Sequence, residues 1–394
     1  MGSMTKKAEI IQQSSNIDVI CFSHLRWDFV YQRPQHLMSR FARDRRVFIF
    51  EEPQYDDGEA RLEVTPREEN VFVAVPKLTH GIEGEAATAK LRELVDELLA
   101  SNNIERHISW YYTPMMLEWS RHLEAVAVVY DCMDQLSAFK NAPPELTARE
   151  AELLGLADVV FTGGHSLYEA KKDEHPAVYA FPSSIDVDHF AAALEAESDP
   201  ADLAGVPTPR IGFVGVIDER MDIGMLDEIA AMRPDWQLVM IGPVVKIDES
   251  ELPRRHNIHY LGSKSYDELP AYIGRWDAAM MPFAMNESTR YISPTKTPEY
   301  LAAGRPVVST PIRDVVRPYG EKGLVEIAST AEEFVSGIER ALNSDIEKRR
   351  AKADDFLSNM SWDNTFYEML RLIDAAVAAR TNGAAKAAKG AGFS

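Results

Sequence analysis

The sequence predicts an α/β protein built from two Rossmann-like domains. At 394 residues the chain is long enough for two domains, each with its own core. Short apolar runs alternate with helical patterns along most of its length, which favours mainly parallel sheets covered by helices on both faces. Neither half carries a Gly-x-Gly-x-x-Gly fingerprint, and this absence argues against a dinucleotide oxidoreductase.

The first domain is expected to span residues 17–190, preceded by a tag or disordered segment at 1–16. Its strands are recognised as short apolar runs and its helices by apolar residues at a spacing of three or four. The predicted strands are 17–22, 47–50, 71–76, 108–112, 126–130 and 159–161, and the predicted helices are 34–43 and 87–100.

The second domain is expected to span residues 210–360, after a linker at 191–209 that is rich in Ala, Glu, Asp and Pro. The tail from 380 to 394, rich in Ala, Gly and Lys, has no apolar face and is predicted to be disordered. The predicted strands of this domain are 210–214, 237–241, 258–261, 278–281, 307–309 and 324–327, and its predicted helices are 225–232, 266–273, 298–303 and 331–341.

Composition excludes several classes of function. The net charge of −20 disfavours a general nucleic-acid binder, because phosphate attraction needs clustered Lys and Arg. No run of about 18 apolar residues predicts a membrane span. Cys21 and Cys132 lack metal-ligand spacing and are interpreted as reduced thiols of a cytoplasmic protein. A local basic cluster could meet anionic lipid headgroups or form a solvated helix face: Arg40, Arg43, Arg45 and Arg46.

The segment 293–310 is the most informative part of the chain. Thr297 is expected to cap a helix that Pro298 opens and Gly304 ends in a left-handed conformation. Lys296 and the amides of the first helical turn could hold a diphosphate, leaving Glu299 to accept ribose hydroxyls. The alternative is an ordinary capped helix with a polar first turn.

This segment resembles the donor-binding motif of GT-B glycosyltransferases, especially the retaining family 4, or group 1, enzymes. Glu299 matches the second of that family's two glutamates, whereas Tyr291 stands at the first and Pro294 at the loop glycine. Further segments that resemble the family are 181–190, 210–226, 257–283 and 361–366.

The resemblance implies a fold and an activity. The fold would be GT-B, with a cleft between two Rossmann-like domains and a C-terminal helix, 361–379, that crosses back to the first domain. The activity would be transfer of a sugar, without a metal ion or other cofactor, from a nucleotide diphosphate donor such as a UDP-sugar. Relatives build bacterial surface polysaccharides, so the acceptor would be a saccharide or polyisoprenoid-linked, and the enzyme could lie peripherally at the inner face of the membrane. Retention of configuration is favoured and inversion stays open.

Donor-binding residues follow from the resemblance and from the segment 293–310. Lys296 is the leading phosphate cation, and Thr295 could add a hydroxyl or amide contact. Arg220, after the turn at Gly215, could hold phosphate or form a surface ion pair. Tyr291 could stack or hydrogen-bond near the sugar, with loop packing as the alternative, and His165 could face the diphosphate.

The first domain is expected to bind the acceptor, because functional residues gather beyond the carboxyl ends of parallel strands. Asp131 follows an apolar run and could orient an acceptor hydroxyl or act as a base; capping a helix is the alternative. His24 offers similar chemistry, or a structural hydrogen bond. The pair Asp186 and Asp188 lies in a domain-closing segment, so no metal site is predicted.

Two other functions remain open at this point. A UDP-sugar epimerase or hydrolase of the same fold would act without an acceptor. A two-domain sugar-binding protein would hold a free sugar and ignore the nucleotide.

Overall fold

The computed structural model describes residues 17–391, with side-chain surroundings through residue 382. The predicted tag or disordered segment at 1–16 lies outside the described residues.

The first sheet has nine strands, arranged β3-β5-β2-β1-β6-β7-β8-β9 with β4 added to β5. Only the pairing of β4 with β5 is antiparallel. The central strands are buried on both faces, as parallel strands between helical layers require. The strands are β1 Asp18–Ser23, β2 Val47–Glu51, β3 Gln54–Asp56, β4 Arg61–Glu68, β5 Val71–Thr79, β6 His107–Tyr111, β7 Ala127–Cys132, β8 Val159–Thr162 and β9 Val178–Ala180.

The second sheet has six parallel strands in the order β12-β11-β10-β13-β14-β15. This is the 3-2-1-4-5-6 order of a doubly wound nucleotide-binding sheet, with the reversal between β10 and β13. The strands are β10 Arg210–Val214, β11 Gln237–Ile241, β12 Ile258–Tyr260, β13 Ala278–Met281, β14 Val307–Ser309 and β15 Glu326–Ile327.

Helices cover both sheets. Single 3-10 turns also occur, among them Leu136–Ala138, Tyr266–Glu268 and Glu287–Thr289. The α-helices are α1 Arg33–Phe41, α2 Gly84–Ser101, α3 Leu117–Ser120, α4 Leu146–Leu156, α5 His165–Lys171, α6 Val187–Ala191, α7 Ile223–Met232, α8 Leu269–Ile273, α9 Lys296–Ala302, α10 Arg313–Val315, α11 Ala331–Leu342, α12 Ile346–Leu357 and α13 Trp362–Ala391.

The predicted fold class is confirmed, and the predicted strands agree with the structure to within a few residues. The elements that the sequence did not reveal are peripheral: the outer strands β3, β4 and β9, and helices such as α4 and α12. The strand β4 is mostly exposed, so it lacks the apolar run by which the others were recognised.

The predicted linker packs as part of the second domain. Leu203 and Val206 are buried in the same core cluster as Phe190 and Ala193. The Arg210 guanidinium donates to both carboxylate oxygens of Asp199, at 2.7 and 2.8 Å, and to main-chain carbonyls of this segment. A few buried apolar side chains therefore anchor a stretch whose composition is otherwise polar.

The helix α13 returns to the first domain, as the resemblance implied. Phe366, Met369 and Ile373 are buried against the core that holds Phe41, and the Phe41 and Phe366 rings lie 4.8 Å apart. The helix continues to Ala391, so the disordered tail predicted from 380 is wrong for residues 380–391. Alanine has a high helix propensity, which favours helix in this Ala-rich stretch. Residues 392–394 lie outside the described part.

The basic cluster of the first domain is bound to acidic side chains. Arg40 and Arg43 both contact Asp363 at 2.8 Å. Arg45 pairs with Asp44 and Arg46 with Asp18, at 2.9 and 2.6 Å. Arg40 and Arg43 thus join α1 and the residues after it to the start of α13, and Arg46 joins the start of β2 to β1. Contact of this cluster with lipid headgroups stays a prediction. Among the described residues, no helix is both long and apolar enough to cross a membrane.

Candidate active site in the interdomain cleft

The carboxyl ends of the two sheets face each other across a cleft. The turns that follow β10 and β11 approach closely, since a Cβ on Gly242 would lie 1.9 Å from the carbonyl oxygen of Gly215. Both glycines have positive φ, of 156° at Gly215 and 142° at Gly242. The strand order reverses beside β10, and this is where ligands bind in doubly wound sheets.

The cleft has two connected chambers. The outer chamber has a volume of about 590 Å³, and the inner chamber has a volume of about 160 Å³. Tyr31, Gly215 and Lys296 line both. The charged residues that line the inner chamber are Arg33, Asp134, Arg220 and Lys296.

The loop between β1 and α1 forms part of the outer chamber wall. Glu51, at the end of β2, holds this loop by accepting hydrogen bonds from the Trp27 amide at 2.7 Å and from Arg26 at 2.9 Å. Gln35 donates to the Trp27 carbonyl at 2.8 Å. Tyr31 then stacks on Tyr266 of the second domain, with ring centroids 4.6 Å apart.

The helix α9 begins earlier than the sequence predicted. Thr295 stands at its N-cap without a side-chain capping bond, and Lys296 is its first residue. Thr297, the predicted cap, is buried in the first turn, and its hydroxyl donates to the sulfur of Met281 at 3.7 Å. Gly304 has a φ of 70° and ends the segment as predicted.

Lys296 lines both chambers and is paired with Glu299, Nζ to Oε2, at 2.7 Å. Glu299 is buried and does not line either chamber. Burial raises the pKa of Glu299, and the Lys296 ammonium opposes that rise. The two residues predicted to bind the donor therefore lie together, with Lys296 at the chamber lining and Glu299 buried behind it.

Arg220 lines the inner chamber on a turn that follows β10. Its guanidinium donates to both oxygens of buried Asp218, at 2.7 to 3.1 Å. The Arg220 carbonyl accepts from the Ala284 amide at 2.8 Å, and Asn286 donates to the Glu219 carbonyl at 3.2 Å. The turn is thus fixed to the loop after β13.

Asp131 does not reach the cleft. It is fully buried and accepts three hydrogen bonds from Arg33, at 2.8 to 3.1 Å. Arg33 also donates to the Phe181 carbonyl at 2.8 Å. The structure thus places Asp131, predicted to orient an acceptor hydroxyl or act as a base, in an ion pair with the first residue of α1 and outside the lining of both chambers. Neither sequence spacing nor composition could reveal that pair.

Asp134, three residues further on, is the carboxylate that lines the inner chamber. It is half-buried, and within residues 17–382 its side chain has no hydrogen bond or ion pair. Burial raises the pKa of Asp134 to about 6, against the nearby charge of Arg220.

His24 lies at the side of the cleft, near Lys246. Burial, and then the charge of Lys246, lower the pKa of His24 to about 4. Its Nδ1 has no hydrogen-bond partner in the described part of the chain. His24 is therefore a neutral imidazole at pH 7, but it does not line either chamber. Lys246 follows β11 and lies 4.9 Å from the ring centroid of Phe139, across the cleft; sequence reasoning did not select it.

Two further predicted residues lie away from the chambers. Tyr291 packs against the core of the first domain, with the Arg290 guanidinium over its ring. His165 is exposed at the start of α5. The amide of Ser166 donates instead to Asp314 of the second domain at 2.9 Å, so a carboxylate from the same chain occupies this helix end. Neither Tyr291 nor His165 lines either chamber.

The structure thus brings four predicted residues together around the inner chamber, namely Gly215, Arg220, Thr295 and Lys296, with Glu299 directly behind the last. In the described part of the chain, no group of three or more His, Cys, Asp or Glu side chains is placed to hold a metal ion.

Comparison with known proteins finds a family match in the second domain. Residues 208–344 match the model of the family described as glycosyl transferases group 1. A putative teichuronic acid biosynthesis glycosyltransferase, TuaH, of Bacillus subtilis (strain 168) is 29% identical over 238 residues. That match covers 56% of this chain and 60% of the relative, so the chain spans less than two thirds of the relative's length.

Solved structures share the fold over almost the whole chain. Sucrose-phosphate synthase of Thermosynechococcus elongatus superposes with a TM-score of 0.69 at 15% identity, covering 92% of this chain and 100% of the other. A trehalose-6-phosphate structure from E. coli, described as bound with UDP-2-fluoro glucose, gives 0.65 at 12% identity, with 91% and 99% covered. Both neighbours have the GT-B fold, and the resemblance drawn from the sequence is confirmed.

Proposed function

We propose that this chain, a GT-B protein whose residues 208–344 form a group 1 glycosyltransferase domain, transfers a sugar from a UDP-sugar to a saccharide or polyisoprenoid-linked acceptor. The single observation that carries the proposal is the position of Lys296 and Glu299 at the carboxyl edge of the second sheet, beside the Gly215 turn and facing the first domain. TuaH, whose name places it in teichuronic acid synthesis, supports a role in building a surface polysaccharide.

The diphosphate would lie where the two chambers meet. Gly215 lets the backbone come close to a ligand there, since it has no side chain, and Lys296 supplies a cation. Arg220 lies on the inner side of the same wall. These groups would stabilise the negative charge that develops on the leaving nucleoside diphosphate, and in our proposal they do so without a metal ion.

Binding would change the partners of Lys296. In the structure its ammonium is neutralised by Glu299 at 2.7 Å. A diphosphate would compete for the ammonium, and the ribose hydroxyls would donate to the carboxylate that the lysine leaves. The buried Glu299 would then keep hydrogen-bond partners, as a desolvated carboxylate requires.

The uridine and the stereochemical course are parts of the proposal with separate support. A structural neighbour is described as bound with UDP-2-fluoro glucose, which supports a UDP-sugar here. Retention is supported by the resemblance to the retaining family, and by the engagement of Asp131 with Arg33, because this removes the base that inversion was expected to use. Analysis of the anomeric configuration of the product by NMR would decide between the two.

The test is calorimetric titration of UDP into the wild-type protein and into Lys296→Ala and Glu299→Ala. We expect each substitution to weaken UDP binding by about tenfold or more, equivalent to about 1.4 kcal/mol. The matched control is Lys348→Ala, an exposed lysine on α12 far from both chambers, which should leave the affinity unchanged.

The proposal would fail if UDP did not bind, or if both cleft variants bound it as the wild type does. Donor turnover adds a second criterion. Consumption of a UDP-sugar that depends on an acceptor supports transfer, and consumption without one would indicate an epimerase or hydrolase. Activity that persists in EDTA is expected from a reaction that needs no metal ion.

A further inference from the structure

Three of the four charged residues that line the inner chamber form ion pairs with residues outside its lining. Each of its three cations already has an acidic partner: Arg33 pairs with Asp131, Arg220 with Asp218 and Lys296 with Glu299, at 2.7 to 2.8 Å. The remaining charged residue, Asp134, has no such partner in the described residues. Asp134 is therefore the one charged residue of this lining that has no ion pair among the described residues, and the positive charges of Arg220, Arg33 and Lys246 lie near it.

The chamber also has the size and position for a single sugar ring. Its volume of about 160 Å³ suits one small, compact group. The chamber adjoins the place where Gly215 and Lys296 would hold the diphosphate. A ring attached to the diphosphate would reach Asp134 on the opposite wall, which belongs to the first domain. The aromatic residues Tyr31, Phe213 and Phe283 also line this chamber.

A free carboxylate suits a neutral sugar. An ionised carboxylate only accepts hydrogen bonds, and two neighbouring hydroxyls can donate to its two oxygens. A uronic acid would instead bring a second carboxylate into the same small space. At a separation of about 5 Å and an effective dielectric constant of about 20, that repulsion would weaken binding on the order of a hundredfold.

We infer that the inner chamber receives the transferred sugar and that Asp134 accepts hydrogen bonds from its hydroxyls, so that the protein selects donors with neutral sugars over donors with uronic acids. This inference rests on the proposed function. In this inference a carboxylate of the first domain recognises the sugar. In the second domain, Tyr291 stands where the resembled family has its first glutamate, and its side chain packs against the core of the first domain.

The experiment compares UDP, UDP-glucose, UDP-N-acetylglucosamine and UDP-glucuronic acid by calorimetry at pH 7.5. In the wild type we expect UDP-glucuronic acid to bind at least about tenfold more weakly than the better of the two neutral donors. In Asp134→Asn we expect that ratio to fall below about threefold. Glu287→Gln is the matched control, because it removes an exposed carboxylate on a neighbouring turn outside both chambers, and should keep the wild-type ratio.

A second measurement needs no variant. The charged groups that face Asp134 are Arg33, Arg220 and Lys246, with Asp218 as the nearby acid. With a pKa of about 6, Asp134 is mostly protonated at pH 5, so the wild-type ratio should shrink there, while a glucuronic acid carboxylate stays ionised.

The outcomes separate the inference from the function beneath it. If UDP binds in the cleft but the wild type prefers the uronic acid, or if Asp134→Asn keeps the full ratio, the inference is wrong and the proposed function stands. If UDP does not bind at all, both the inference and the proposed function are wrong.

Discussion

Two aspartates three residues apart differ in what they do for the fold, although Asp131 lies at the end of β7 and Asp134 just beyond it. Asp131 completes a buried ion pair with Arg33, whereas Asp134 is an unpaired carboxylate at the wall of a chamber. Removal of one partner of a buried pair leaves an uncompensated charge, and removal of an unpaired carboxylate relieves one. The contrast gives opposite expectations for two substitutions of the same kind.

Asp131→Asn should destabilise the protein by about 3–5 kcal/mol, because the guanidinium of Arg33 stays buried without its counter-ion. Chemical denaturation at pH 7.5 measures the change. Loss of less than about 1 kcal/mol would contradict the assignment of Asp131 to a structural pair.

Asp134→Asn should stabilise the protein on the order of 1 kcal/mol at pH 7.5. The pKa of Asp134 is raised in the folded state to about 6, so the folded protein binds this proton more tightly than the unfolded chain. The ionised group therefore opposes folding above its unfolded pKa near 4, and its cost grows until the pH passes about 6. The gain from the substitution should disappear below pH 4, and a variant less stable than the wild type at pH 7.5 would contradict this account.

At the scale of elements, α13 ties the end of the chain to the first domain. Its Phe366 ring packs edge-on against Phe41 of α1 and is almost fully buried. Phe366→Ala should cost about 3–5 kcal/mol, since the cavity is enclosed on several sides. Tyr367→Ala, at the neighbouring exposed position, is the control for loss of an aromatic ring on the same helix. Thermal denaturation of the two variants would show whether the buried face of α13 holds it in place.

The sequence predicted the central elements of both sheets because buried parallel strands are nearly continuous apolar runs. It did not predict β4, whose residues are mostly exposed, or the packing of 191–209 into the second domain. At the site, too, contacts within one segment could be predicted and contacts between distant segments could not. Lys296 and Glu299 share one short segment, so their proximity was predictable, whereas the pair of Arg33 with Asp131 spans 98 residues and could only be found in three dimensions.

For the whole molecule, the relation between the domains depends on a few contacts across the cleft. Asp314 of the second domain accepts from the Ser166 amide at the start of α5, and a Cβ on Gly164 would lie 2.2 Å from its other oxygen. Tyr31 stacks on Tyr266 elsewhere along the cleft. Catalysis with groups from both domains needs them to approach and separate as substrates enter and products leave.

Asp314→Ala should shift the protein without nucleotide towards a more open arrangement, because α5 loses an acceptor that comes from the other domain. Small-angle X-ray scattering should show a larger radius of gyration for the variant. Asp345→Ala is the control, since Asp345 caps α12 within a single domain by accepting from Lys348 at 3.0 Å. Identical scattering from the wild type and Asp314→Ala would show that this contact does not hold the cleft closed.

The most direct test of the whole account is a crystal structure of the protein with UDP. The account predicts the diphosphate beside the Gly215 turn and the Lys296 ammonium, with the ribose hydroxyls within hydrogen-bond distance of Glu299 and the inner chamber open towards Asp134. UDP bound at any other surface, or bound in the cleft with Lys296 still paired to Glu299 and remote from the phosphates, would contradict it.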